Sequence, residues 1–233
     1  MISNGVLSFY LAVIEFALLA VLLKDRKKHN AIPIAGLIVF FLAGYQLSEA
    51  IMCRFGYPGQ ILPYIAITDI SCLPPLVLVF TCRFWDNNSR VPYLLFIPVA
   101  FFAVYYGVNI DKMALTRCTP FYAMYHYPLG DLYGFFYYLP ILLSMISFKN
   151  KIRDDKNREH QKLGQIFLAS LAFTAIPVVI AFASKAAGNA ELLKSVESVM
   201  CKSAVVLAAA LTYIANRLSE DVSDLSVSPA NQE

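Results

Sequence analysis

Apolar residues in this chain come in long runs, with little of the alternation that marks a half-buried strand. Seven stretches stand out, at 5–24, 32–54, 60–83, 91–109, 130–148, 162–186 and 192–216. Each approaches or exceeds the roughly 20 mainly apolar residues that a membrane-crossing helix needs. Hydrophobic residues make up 58% of the chain and charged ones 15%. A soluble domain carries about 25% charged residues, so composition agrees with the pattern. The predicted fold is all-α: a seven-transmembrane-helix bundle over 1–217, then a short Ser-, Asp- and Asn-rich tail at 218–233, expected to be disordered. Met1-Ile2-Ser3-Asn4 brings no basic segment and no small-residue cleavage site follows, so the first run is expected to remain as a helix.

Lys and Arg in the loops set the expected orientation. With the N-terminus outside, the inner segments hold thirteen: Lys24, Arg26, Lys27, Lys28, Arg83, Arg90, Lys149, Lys151, Arg153, Lys156, Arg158, Lys162 and Arg217. The outer loops hold five: Arg54, Lys112, Arg117, Lys185 and Lys194. The asymmetry predicts an outside N-terminus and a cytoplasmic C-terminus. The net charge of +3 resides in these loops and gives no reason to expect a nucleic-acid partner. The mixed-charge loop from Lys149 to Lys162 reads as a solvated helix extension or a docking surface for a cytoplasmic partner or anionic lipid.

Charged residues inside the apolar runs change the picture. Glu15, Asp69 and Lys202 fall near mid-membrane, and Glu49 and Glu197 lie closer to the outer ends. A charge at the bilayer centre costs about 3 kcal/mol on insertion scales, so such residues face the bundle interior and are functional candidates. In a sequentially arranged bundle the first, second, third and seventh helices are neighbours, which would let these side chains neutralise one another. One reading is a polar knot that packs helices, joined by Gln46, Ser48, Thr68, Ser71 and Ser203. The other is an outward-facing ligand or proton site. The third run also holds Pro74-Pro75 one turn beyond Asp69, and the sixth holds Pro177; both are expected kinks and conformational hinges.

The longest outer loop, 110–129, is dense in aromatics, including Tyr122, Tyr125 and His126. It reads either as interfacial anchoring or as a lid over the outer mouth. Cys118 in that loop and Cys53 at the outer end of the second helix would both meet an oxidising compartment, so a bridge between them is a candidate. The candidate ligand site is therefore Glu49, Asp69, Glu197 and Lys202, with Tyr45, Tyr122, Tyr125 and His126 above it.

No catalytic constellation is recognisable, and the expectation is no enzyme, no metal and no cofactor. His29, His126 and His160 lie in loops, away from ligand spacing within a helix. A lysine midway along the seventh helix suggests a retinal pigment, but position 198, four before Lys202, is Ser where an acid is needed. The lone tryptophan, Trp85, is also on the third helix.

Several landmarks together resemble the seven-transmembrane N-terminal sensor region of bacterial histidine kinases. They are Glu49, Leu73-Pro74-Pro75-Leu76 with Phe80, Arg158-x-x-Gln161, Pro177 and Ala215-Asn216-Arg217-Leu218. The resemblance implies a bundle in the bacterial inner membrane that senses a signal and passes it to a cytoplasmic output. No dimerisation helix, phosphoacceptor His or ATP-binding segment follows Leu218 here, so the expectation is a stand-alone sensor. It would bind a small-molecule or lipid ligand within the bilayer and signal to a partner in trans. A small transporter or proton-coupled carrier using the same charges is the alternative.

Overall fold

The computed structural model describes residues 4–24, 29–57, 59–87, 89–188 and 195–227, the last seven for backbone only. Arg26, Lys27, Lys28 and Lys194, counted above for orientation, and tail residues 228–233 lie outside the described residues.

Seven helical segments are long and apolar enough to cross a membrane. α1 (Val6–Lys24) packs along α2 (Ile32–Phe55). The third span is two helices, α3 (Ile61–Ser71) and α4 (Leu73–Phe84), interrupted at Cys72. The fourth is a 3₁₀ turn, Val91–Leu95, leading into α5 (Phe96–Val108). α6 (Gly130–Asp154) and α7 (Arg158–Ala186) form the fifth and sixth. The seventh is again divided, into α8 (Val196–Ser203) and α9 (Val205–Val227), at Ala204. The tail boundary expected at Leu218 thus falls inside a helix. The fold is a helical bundle consistent with an integral membrane protein. α1, α5 and α7 turn apolar side chains such as Val13, Ile97, Val104 and Val179 outward, a surface suited to contact with lipid.

Between α5 and α6 the aromatic loop is not irregular, as a lid or an interfacial anchor alone would suggest. It is an antiparallel hairpin of β1 (Ala114–Cys118) and β2 (Ala123–His126), with its register shifted between Leu115 and Arg117. Cys53 is joined to Cys118 by a disulfide with Cα atoms 5.6 Å apart. Gly56, at φ 64, ends α2 in the left-handed region just beyond Cys53. Ala123 and Tyr125 are buried, so β2 is inserted into the bundle.

The interruption at Cys72 has a plain cause. Pro74 and Pro75 remove the two N–H groups that would reach the carbonyls of Ile70 and Ser71. They sit in the first turn of α4, where proline is tolerated. Pro177 lies inside α7, and so does Pro140 inside α6, a position the sequence reading passed over.

The end opposite the hairpin is built from rings. Phe80, Phe84, Phe148 and Phe167 bring α4, α6 and α7 together, with centroids 4.4 Å apart for Phe148–Phe167 and 4.8 Å for Phe80–Phe167. His160 stacks on Phe84 at 4.3 Å and meets Trp85 edge-on. The α6–α7 turn is closed by side chains. Asn157 Oδ1 accepts from the Glu159 and His160 amides, Asp155 Oδ2 pairs with His160 Nδ1 at 2.7 Å, and Gln161 Nε2 donates to the Asp155 carbonyl. The Asn157 amide and the His160 ring hold the Asp155 carboxyl below its ordinary range. The Lys149–Lys162 segment is thus two helix ends and a capped turn. Asn157→Ala removes that cap and should cost about 1 kcal/mol, read as an earlier loss of helical circular dichroism on heating.

Candidate functional site

The intramembrane charges do not form one cluster. Glu49 and Lys202 meet, whereas Glu197, Asp69 and Glu15 each go elsewhere, because helix rotation decides where a side chain points.

Glu49 and Lys202 meet directly. They form a buried ion pair between α2 and α8, with the side chains 2% and 9% exposed. Glu49 Oε1 also accepts from Ser8 Oγ on α1 at 2.7 Å. Its Oε2 accepts from Ser198 Oγ at 2.7 Å. Ser198 Oγ in turn accepts from Lys202 Nζ at 2.8 Å and from the Ala123 amide of β2 at 2.9 Å. The hydroxyl uses one donor and two acceptor positions, which is all it has. A buried pair is tolerated when such further bonds satisfy its atoms. The result is a latch that ties α1, α2, α8 and the hairpin together. Ser198 sits four residues before Lys202 and hence on the same helix face, a signal present in the sequence.

Glu197 turns the other way. Its Oε1 accepts from Tyr127 OH, just beyond β2, at 2.5 Å. Burial, with this carboxyl beside it, holds the Tyr127 phenol far above its ordinary range, so it is a donor. Asp69 stands apart from both. Its carboxyl lies against α2 at Gly44, where an added Cβ would come within 3.2 Å of Oδ2. Glu15 is fully buried, and neither carboxyl oxygen has a hydrogen-bond partner among the described residues.

A cavity of about 1270 Å³ lies between the hairpin, α4, α6, α7 and the α8–α9 junction. It is larger than the roughly 300–1,000 Å³ of ordinary small-molecule pockets. Gly130 and Met145 both line it on α6, which makes it about 22 Å long at 1.5 Å per residue. At the hairpin end its wall is polar: Glu197, Tyr127, His126 and Arg117. Away from it the wall is apolar, with Val77, Met145, Leu171 and Leu207. Lys185 of α7 bridges Asp131 of α6 at 3.0 Å across the rim. Pro74 lines the cavity, and Pro140 and Pro177 sit beside lining residues Leu139, Ile141 and Val178.

Of the eight candidate ligand residues, Glu197, Tyr125 and His126 line this cavity. Glu49 and Lys202 are committed to the latch, and Asp69 lies against Gly44 with Oδ2 buried and unpartnered among the described residues. Tyr45 is buried with its ring 6.4 Å from that of Tyr125. Tyr122 serves the hairpin turn, where its amide and carbonyl both bond Thr119 Oγ1. Sequence reasoning missed Tyr127, Tyr137, Tyr138, Asp131 and Lys185 as cavity residues. The run of tyrosines from Tyr133 to Tyr138 in a span was the available signal.

No family model, curated protein or solved structure matches this chain. The architecture is a helical bundle consistent with a multi-pass membrane protein, capped at one end by a disulfide-anchored hairpin. Nothing in it is particular to the sensor regions of histidine kinases.

Proposed function

We propose that this protein is a membrane sensor rather than an enzyme, and that occupancy of the hairpin-capped cavity is its signal. The observation that carries this reading is that one short helix serves both structures. Glu197 of α8 lines the cavity, while Ser198 and Lys202 of the same helix hold the latch. α8 ends at Ala204, so it can shift against α9. An occupant that moves Glu197 changes the hairpin and α2 with it, and the proline-bearing α4, α6 and α7 can yield around it. The output is read by a separate cytoplasmic or membrane partner.

The hairpin end faces outside in this reading and the aromatic end faces the cytoplasm of a bacterial inner membrane. The disulfide supports that assignment, since such bonds persist in oxidising compartments.

A cavity-filling substitution tests the coupling without a known ligand. Met200→Trp places a ring in the cavity from α8. With spin labels at positions 87 and 217, and the free cysteines Cys72, Cys82 and Cys201 replaced by Ser, this variant should change the distance between the α4 and α9 ends relative to its parent. An unchanged distance removes the coupling. The carrier alternative is distinguished in pyranine-loaded vesicles under a proton gradient with small solutes added in turn: a sensor leaves the internal pH unmoved with each of them, and a proton-coupled carrier changes it when its solute is present.

A further inference from the structure

We infer that the cavity takes an amphiphile with an alkylammonium head, seated on Glu197 with its chain running down between α6 and α7. The inference rests on the sensor reading and adds the chemistry of the occupant.

Length and polarity come first. The cavity extends about 22 Å along α6, further than the roughly 15 Å of hydrocarbon in one leaflet of a bilayer. Its polar residues gather at one end and its remaining wall is apolar. A compact polar solute would leave most of that wall unfilled, whereas an alkyl chain fills it.

The sign of the head follows from what is already neutralised. Lys185, at the rim, is paired with Asp131. Lys202, the nearest other cation on α8, is paired with Glu49 and does not line the cavity. Arg117 also lines it, but it is exposed at the rim. The buried ionisable group is Glu197, 5% exposed and in no ion pair among the described residues. An ammonium head supplies the counter-charge that lets this buried carboxyl ionise, which a carboxylate or phosphate head cannot do.

Donor count favours an amine with N–H groups. Glu197 keeps acceptor capacity beyond the Tyr127 bond. Tyr137 and Tyr138 also line the cavity, and their hydroxyls have no hydrogen-bond partner among the described residues. A primary ammonium donates to Glu197, and the two phenol oxygens, buried beneath the lining, take its other donors by turning toward the cavity.

The test is native mass spectrometry on the full chain in maltoside micelles, with dodecylammonium, dodecanol and dodecanoate added in turn. All three share a chain, so only the head differs. One dodecylammonium per protein is expected, with dodecanol and dodecanoate at least tenfold weaker. Glu197→Gln keeps an acceptor for Tyr127 but loses the charge, and should weaken dodecylammonium at least tenfold. Tyr137→Phe with Tyr138→Phe provides a second variant that leaves Glu197 intact, and should weaken dodecylammonium severalfold while dodecanol is unchanged. Equal binding of the three amphiphiles, or dodecylammonium binding unaffected by both variants, overturns the head assignment and leaves the sensor reading standing. Failure of all three to bind overturns the amphiphile assignment, while the sensor reading is decided separately by the Met200→Trp distance measurement. An aminolipid from the bilayer would arrive bound in the untreated protein, whereas a free amine from water would bind only when added.

Discussion

Lys202→Met should destabilise the protein by about 3–5 kcal/mol, the range for removing one partner of a buried ion pair. The loss arises less from the missing attraction than from Glu49, which stays buried among Ser8 and Ser198 with its charge unbalanced. Thermal unfolding of the purified variant should show a clear drop in midpoint. Glu49→Gln combined with Lys202→Met should recover most of it, because the double variant buries no net charge and Gln still bonds both serines. A single variant as stable as the parent would mean that Glu49 is not held as the latch requires. A double variant that stays stable but no longer transmits a cavity-filling substitution to α9 would separate the latch's two roles, packing and coupling.

Breaking the Cys53–Cys118 bond should have the second large effect. The two cysteines are 65 residues apart. For an unfolded coil that loop corresponds to about 4 kcal/mol of closure entropy. The value here is an upper bound, since helices between the two cysteines that stay inserted already limit the unfolded chain. The local consequence is sharper. Without the bond, the hairpin is held to the bundle by the Ala123 amide on Ser198, the Tyr127 hydroxyl on Glu197 and the burial of Ala123 and Tyr125. Cys53→Ser should increase proteolysis between Ala114 and His126 and weaken any cavity ligand severalfold. In right-side-out vesicles a membrane-impermeant reductant followed by an impermeant maleimide should label both cysteines if the hairpin is outside. Labelling of Cys53 or Cys118 without reduction would contradict the disulfide, and labelling of these two only in inverted vesicles would reverse the orientation.

The spans were legible because membrane insertion is decided by length and hydropathy, which a sequence states directly. The pairing of Glu49 with Lys202 was half legible. Both had to face inward, yet nothing in a helix of unknown rotation says that Asp69 would turn to Gly44 while Glu49 turned to α8. The hairpin was hidden for a different reason. Its alternation is short, broken by a register shift, and submerged in tyrosines that also suit a membrane interface. The breaks at Cys72 and Ala204 show the same contrast. Pro74-Pro75 declares the first, whereas no proline or glycine marks the second. There Ser203 Oγ bonds the Thr174 carbonyl of α7 as well as the Met200 carbonyl of its own helix.

The ring stack at the far end has a consequence for where a signal can leave. Phe80, Phe84, Phe148 and Phe167 rivet α4, α6 and α7 into one block, and α9 contributes no ring to it among the described residues. Three of the cavity's walls therefore share a fulcrum. Prying them apart at the hairpin end gives large displacement there and little at the riveted end. α9 packs against α1, α2 and α7 and buries Leu211, Ile214 and Leu218, while Arg217 bonds Tyr213 and Glu220 of its own helix. In the proposed sensor, a partner would gain little by gripping the α6–α7 turn and more by gripping α9.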